Sequence, residues 1–200
     1  MRETVLYGFG DSNMWGWDAR IWSADADPRL PIQSIWIEMA AGQMGWKLLN
    51  DSMPGRQIPT GQAADLFISS VTAAHWDVLL LMLGTNDYLC LPGDRSCCKI
   101  GSRWMETLEK LTKRFPERKK HIVLASPPAA RGMTPAVREE MRHEYRSTAE
   151  QFEIRYFDTI GISLSLQYDG IHLDETGHIQ LAKAVSQFLR QMDFPVFEKN

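Results

Sequence analysis

Apolar and polar positions along the chain switch repeatedly between two spacings. Residues 4–8 form a short apolar run rich in strand formers that stops at Gly8 and Gly10, which predicts a first strand closed by a sharp glycine turn. Residues 14–31 follow no period. They carry Trp15, Trp17 and Trp22 with Pro28 and Pro31, and are expected to be loop or broken helix. From 33 to 44, Ile35, Trp36, Met39, Ala40 and Met44 recur at helical spacing, and Gly45 is a good terminator. A short strand over 46–49 then runs into the turn-forming residues Asn50 to Arg56.

The same alternation continues. A helix over 61–74 puts Ala64, Phe67, Ile68 and Val71 on one face. Residues 76–83 are unbroken rather than alternating in apolar character, which suggests a central parallel strand buried on both sides. The run ends at Gly84, Thr85, Asn86 and Asp87, with a long loop expected through Gly93. Helices are predicted over 102–115 and 134–152, and strands over 121–125 and 154–157. Asp174 offers an N-cap for a last helix that carries Leu181, Val185, Phe188, Leu189 and Met192 on one side. Five strands alternating with helices predict an α/β fold with a parallel, doubly wound sheet and right-handed crossovers, in one domain over 1–200.

Composition narrows the partners. A net charge of −3 at pH 7 argues against a general nucleic-acid binder. The one basic cluster, Lys113, Arg114, Arg118, Lys119 and Lys120, falls at a predicted helix end, where cations are favoured anyway. No segment has the apolar length to span a bilayer, so no membrane partner is expected. Strand-like sequence begins almost at once, leaving no room for a signal peptide. The cysteines, Cys90, Cys97 and Cys98, are odd in number and have neither disulfide-framework nor zinc-site spacing. A reduced, cytoplasmic protein without metal or cofactor is the expectation.

Four polar clusters, at 10–13, 50–56, 84–87 and 169–172, all follow predicted strands. In an open parallel sheet that edge is where ligands bind. Ser12 there could act as a nucleophile if a base and an orienting acid met it. His172 and Asp169, three apart on a turn, can place a carboxylate on one ring nitrogen and leave the other facing Ser12. The backbone N–H groups of Ser12 and Gly55 and the side-chain amide of Asn86 are the candidate donors to a developing oxyanion.

These residues resemble those of the SGNH (GDSL) hydrolases, and the four blocks stand in that family's order across 10–172. Gly10-Asp11-Ser12-Asn13 is similar to the first block, Gly55 to the second, Gly84-Thr85-Asn86-Asp87 to the third, and Asp169 with His172 to the last. The resemblance implies a three-layer α/β/α sandwich around a five-stranded parallel sheet, flavodoxin-like, and hydrolysis of carboxylic esters. The substrate would be a small-molecule ester. The nearer likeness is to the arylesterase and acyltransferase branch. Asn13 departs from the leucine common after the nucleophile, and Met53-Pro54-Gly55-Arg56 occupies a variable stretch. Neither departure touches a catalytic atom, so both bear on substrate rather than on chemistry.

Several residues keep two readings. Asp11 hydrogen-bonds nearby turns or is an ordinary turn residue, Asp87 braces its own turn rather than taking a catalytic role, and Arg56 meets either substrate or solvent. His178, the rival base, is expected on the surface of the last helix. The tryptophans at 15, 17 and 22 line an acyl pocket, cover the core, or form the interface of a homo-oligomer. Two rival functions remain. A dinucleotide site would use Gly8-Phe9-Gly10 with Asp51 on the ribose, although Asn13 stands where its third glycine belongs. A non-catalytic carbohydrate-binding module on the same fold is the other.

Overall fold

The computed structural model describes residues 2–21, 25–91 and 99–192. Trp22, Cys97 and Cys98, with most of the expected loop over 88–100, lie outside the described residues. Five strands, β1 (Val5–Gly10), β2 (Lys47–Ser52), β3 (Val78–Met82), β4 (Ile122–Ala125) and β5 (Arg155–Phe157), form one sheet in the order β2-β1-β3-β4-β5. Every neighbouring pair is parallel. The apolar run that makes β3 is buried along its whole length, as its unbroken pattern requires of a strand covered on both faces.

Side chains leave a strand alternately to either side, and that sorts the core into two layers. Leu6, Leu80, Met82, Val123 and Phe157 pack under α2 (Trp36–Met44) and α7 (Glu175–Arg190). Tyr7, Phe9, Leu79, Leu81 and Leu124 pack under α3 (Gln62–Ala73), α5 (Met105–Arg114) and α6 (Pro135–Gln151). The architecture is the expected three-layer α/β/α sandwich. Two short helices, α1 (Ser12–Trp15) and α4 (Thr85–Leu89), follow β1 and β3 directly. The chain builds β2 on one side of β1 and β3 on the other, so the strand order reverses between β1 and β3. The crevice at that reversal is where such sheets hold ligands.

Several elements differ from the sequence reading. Gly8 and Gly10 do not end the first strand; they belong to β1, and neither has a positive φ. They are glycines because helices press on them: a Cβ on Gly8 would lie 2.3 Å from Ile37 Cδ1, and one on Gly10 2.6 Å from Met14 Cβ. A dinucleotide loop needs its glycines in a strand-to-helix turn, so that rival reading falls. Strand β2 runs on through Asn50, Asp51 and Ser52, pairing Gly10 with Ser52. Along an edge strand the backbone ladder tolerates polar side chains. The helix expected over 33–44 is broken: Ile32–Ser34 makes one 3₁₀ turn, Ile35 is extended, and α2 begins at Trp36. Thr85 to Leu89, expected as loop, form a helical turn, because the polar residues that favour loops also start helices.

Candidate active site

Asp11 sets the geometry at the end of β1. It is extended, its carboxylate accepts the Asn13 N–H at 2.9 Å, and α1 therefore starts at Ser12. This lifts the Ser12 hydroxyl toward a turn some 160 residues further on, where His172 Nε2 lies 2.9 Å from Ser12 Oγ. On the other side of the ring, His172 Nδ1 meets Asp169 Oδ2 at 2.6 Å. Since a carboxylate only accepts, Nδ1 carries the proton and Nε2 accepts from the serine hydroxyl. Ser12, His172 and Asp169 thus form one continuous chain of hydrogen bonds.

The turn bearing Asp169 and His172 is closed by its own bonds. Asp169 Oδ1 accepts the N–H groups of Ile171 at 2.9 Å and His172 at 3.1 Å. The Gln167 N–H donates to the His172 carbonyl at 2.7 Å. Gln167 then ties this turn to the tryptophan segment: its amide donates to the Trp17 and Leu173 carbonyls and accepts from the Ala19 N–H, each bond between 2.8 and 2.9 Å. Trp17 is consequently half-buried beside the His172 imidazole, with 6.0 Å between ring centroids, and Trp15 stands 6.1 Å from Trp17. No sequence pattern flagged Gln167, whose side chain bonds only to backbone groups, two of them in the distant tryptophan segment.

The remaining candidates surround the ends of β1 and β3. Gly55 sits in the turn after β2 with φ +77°, exposed, with open space where a Cβ would stand. Among the described residues neither its N–H nor that of Ser12 is engaged in a hydrogen bond. Asn86 Nδ2 donates to the Arg56 carbonyl at 2.9 Å, fastening α4 to the Gly55 turn; an amide nitrogen has a second hydrogen to give. Arg56 is largely withdrawn from open solvent and lines the cavity beside the Gly55 turn. Its guanidinium binds the Asp51 carboxylate at 2.8 Å, reaches the Asp51 and Gly10 carbonyls, and lies 4.2 Å from the centre of the Phe9 ring. Asp87 reaches beyond its own turn: Oδ2 accepts the Ile58 N–H at 3.1 Å and Oδ1 lies 3.0 Å from Arg103. Beside the Gly55 turn a cavity of about 600 Å³ opens between Phe9, Met53, Ile58 and Phe67.

Burial and hydrogen bonding set the charges. Burial pushes the Asp169 carboxyl up, but bonds from the His172 ring and from the Ile171 and His172 amides outweigh it, leaving it below the ordinary value. Burial pushes Asp11 up to about 6, against the Asn13 amide, the Thr85 hydroxyl and the His172 ring, which hold the charge. Neither Asp11 Oδ2 nor Thr85 Oγ1 has a well-aligned partner among the described residues. Asp87 is raised, again by burial first. His178 is not on the surface. It is 1 % exposed, its Nδ1 accepts the Trp36 N–H at 3.2 Å at the start of α2, and burial holds it down at about 4. An imidazole committed in this way is no base for Ser12.

Among the described residues no cluster of three or more His, Cys, Asp or Glu could hold a metal ion, and no helix is long and apolar enough to cross a membrane. The family described as GDSL-like lipase/acylhydrolase matches residues 6–185. No curated protein sequence matches the chain. Solved structures share the fold. A carbohydrate acetylesterase, Est24, from Sinorhizobium meliloti superposes with a TM-score of 0.74 at 18 % identity, covering 94 % of this chain and 99 % of its own. The native M. smegmatis aryl esterase gives 0.73 at 21 % identity over 94 % and 98 %. A putative arylesterase from Agrobacterium tumefaciens str. C58 gives 0.70 at 22 % over 94 % and 98 %.

Proposed function

Since the chain belongs to the GDSL-like lipase/acylhydrolase family and is an ester hydrolase, we propose that it cleaves short-chain carboxylic esters through Ser12, His172 and Asp169. The reading is carried by the hydrogen-bond chain Ser12–His172–Asp169, at 2.9 and 2.6 Å. Ser12 Oγ attacks the ester carbonyl while its proton passes to His172 Nε2. Asp169, held ionised by its bonds, keeps the ring oriented and balances the imidazolium that forms. The Ser12 and Gly55 N–H groups and the second amide hydrogen of Asn86 receive the oxyanion. Collapse breaks the ester C–O bond, and the departing alkoxide takes the proton from His172. Water then repeats the sequence on the acyl-enzyme and releases the acid.

The test is turnover of p-nitrophenyl acetate by the wild type against Ser12→Ala, with His172→Ala expected to fall as far, because triad members act as a unit. No turnover above Ser12→Ala would overturn the reading and leave a non-catalytic binding module. Short acyl groups are favoured because neither Ser12 nor His172 lines the cavity beside Gly55. In a series from acetate to decanoate, the rate per site should peak at the short end. A peak at decanoate would mean that the cavity takes the alkyl chain.

A second reading, that the alcohol is a sugar, draws on Trp17, whose half-buried ring beside His172 offers a flat apolar surface next to the base. Acetylated xylose should then be a substrate whose KM rises in Trp17→Ala while that of methyl acetate does not. Acyl transfer to an alcohol in water would use the same face to exclude water, and ester formation in aqueous ethanol measures it.

A further inference from the structure

Asn13 is the residue after the candidate nucleophile, and nothing in its chemistry is needed for acyl transfer. It is nevertheless 1 % exposed and committed at every polar atom. Its side-chain oxygen accepts the Leu173 N–H at 3.0 Å, and its side-chain nitrogen donates to the Ile171 carbonyl at 3.3 Å. Those are the peptide groups on either side of His172. The donor faces a carbonyl and the acceptor faces an N–H, so the amide has one orientation only. Its own backbone is fixed as well. The Asn13 N–H is held by Asp11, and its carbonyl accepts the indole N–H of the fully buried Trp36 at 3.0 Å.

We infer that Asn13 is a positioning residue, a two-point clamp that fixes the His172 backbone relative to Ser12. It acts through His172 and touches no reacting atom, and the inference rests on the ester-hydrolase mechanism proposed above. Asn13 and Ser12 are neighbours on α1, so any bond from Asn13 to the 171–173 segment transmits the placement of the hydroxyl to the base. No other residue type does both jobs at this size. Leucine, common at this place in related enzymes, has similar bulk and leaves the Leu173 N–H and the Ile171 carbonyl unpaired. Aspartate can accept from Leu173 but turns a buried negative oxygen toward the Ile171 carbonyl.

The experiment is Asn13→Leu, with Asn13→Ala as a second variant, compared with the wild type on p-nitrophenyl acetate. Active sites are counted by stoichiometric labelling of Ser12 with diethyl p-nitrophenyl phosphate. Displacing one group of a catalytic constellation by about 1 Å costs on the order of 10²-fold. We therefore expect kcat per labelled site to fall by about 10- to 10²-fold while KM stays within about twofold. The 2.6 Å bond to Asp169 should give His172 Nδ1–H a low-field proton NMR signal in the wild type, and that signal should broaden or move upfield in both variants. An unchanged kcat per site with an unmoved signal, even with a lowered melting temperature, overturns the clamp. So does a raised KM with unchanged kcat, which would make Asn13 a substrate contact. A wild type that shows the low-field signal but turns over no ester defeats the ester-hydrolase reading, and loss of that signal in Asn13→Leu would then still support the clamp.

Discussion

Asn86 is asked to do two things with one amide. One hydrogen holds the Arg56 carbonyl and so fixes the turn that carries Gly55; the other is the proposed oxyanion donor. Asn86→Ala removes both, and loss of one oxyanion donor lowers kcat by about 10²–10³-fold. Asn86→Asp keeps the size but cannot donate. The two variants should therefore lose activity alike on p-nitrophenyl acetate. Full activity in Asn86→Asp, which can donate neither to the Arg56 carbonyl nor to the oxyanion, would refute the donor role. At this scale the sequence was legible where a residue type announces its chemistry. Ser12, Asp169, His172 and Asn86 stand out because the proposed acyl transfer would require a nucleophile, an acid, a base and a neutral donor. Asn13, Gln167 and His178 did not stand out, because each works on backbone groups distant in sequence. His178 looked like a surface residue until the start of α2 was seen to lean on it.

At the scale of elements, the two glycines of β1 are packing devices, and they are not equivalent. A methyl at Gly8 meets first the tip of Ile37, which can rotate away. A methyl at Gly10 meets Met14 at its Cβ, so α1 itself must shift. Overpacking of this kind costs about 1–3 kcal/mol. Gly10→Ala should accordingly be the more destabilised in urea, and it should also lose activity per folded molecule, because α1 carries Ser12. Gly8→Ala should keep its activity. Equal activity loss in both would refute the distinction. The same residues explain what pattern could and could not reveal about the fold. Burial on both faces leaves its mark on β3, and helical spacing on α3, α6 and α7. A strand that ends in glycines for the sake of the helices above it reads as a turn. Asn50, Asp51 and Ser52 read as loop because the register that pairs them with β1 is invisible in one segment.

For the molecule as a whole, two buried groups pull stability in opposite directions with pH. Burial raises Asp11 from 3.8 to about 6. Between those values the folded chain keeps a proton that the unfolded chain has lost, so this contribution falls as pH rises and, above pH 6, costs about 3 kcal/mol. Burial lowers His178 from 6.5 to about 4. Over that window the unfolded chain binds a proton that the folded one refuses. Its contribution is complete above pH 6.5 and falls by about 3 kcal/mol as pH drops to 4. The two slopes nearly cancel between pH 4 and 6. Asp169, Asp174 and Asp18, held below their ordinary values, lose their contributions only below that range. Single variants should uncover each slope when stability is measured relative to wild type, a comparison in which the other titrating groups drop out. Asp11→Asn keeps the oxygen that caps α1. It should be more stable than wild type at pH 7, by at most about 3 kcal/mol, with the gain vanishing toward pH 4. His178→Asn keeps an acceptor for the Trp36 N–H, and its stability relative to wild type should rise as pH falls from 6.5 to 4. A difference that does not vary with pH in either variant would mean that the group is not charged as its burial requires. If Asp11→Asn gains stability and loses turnover, the cost of a buried carboxylate beside His172 is one that the fold bears for the site.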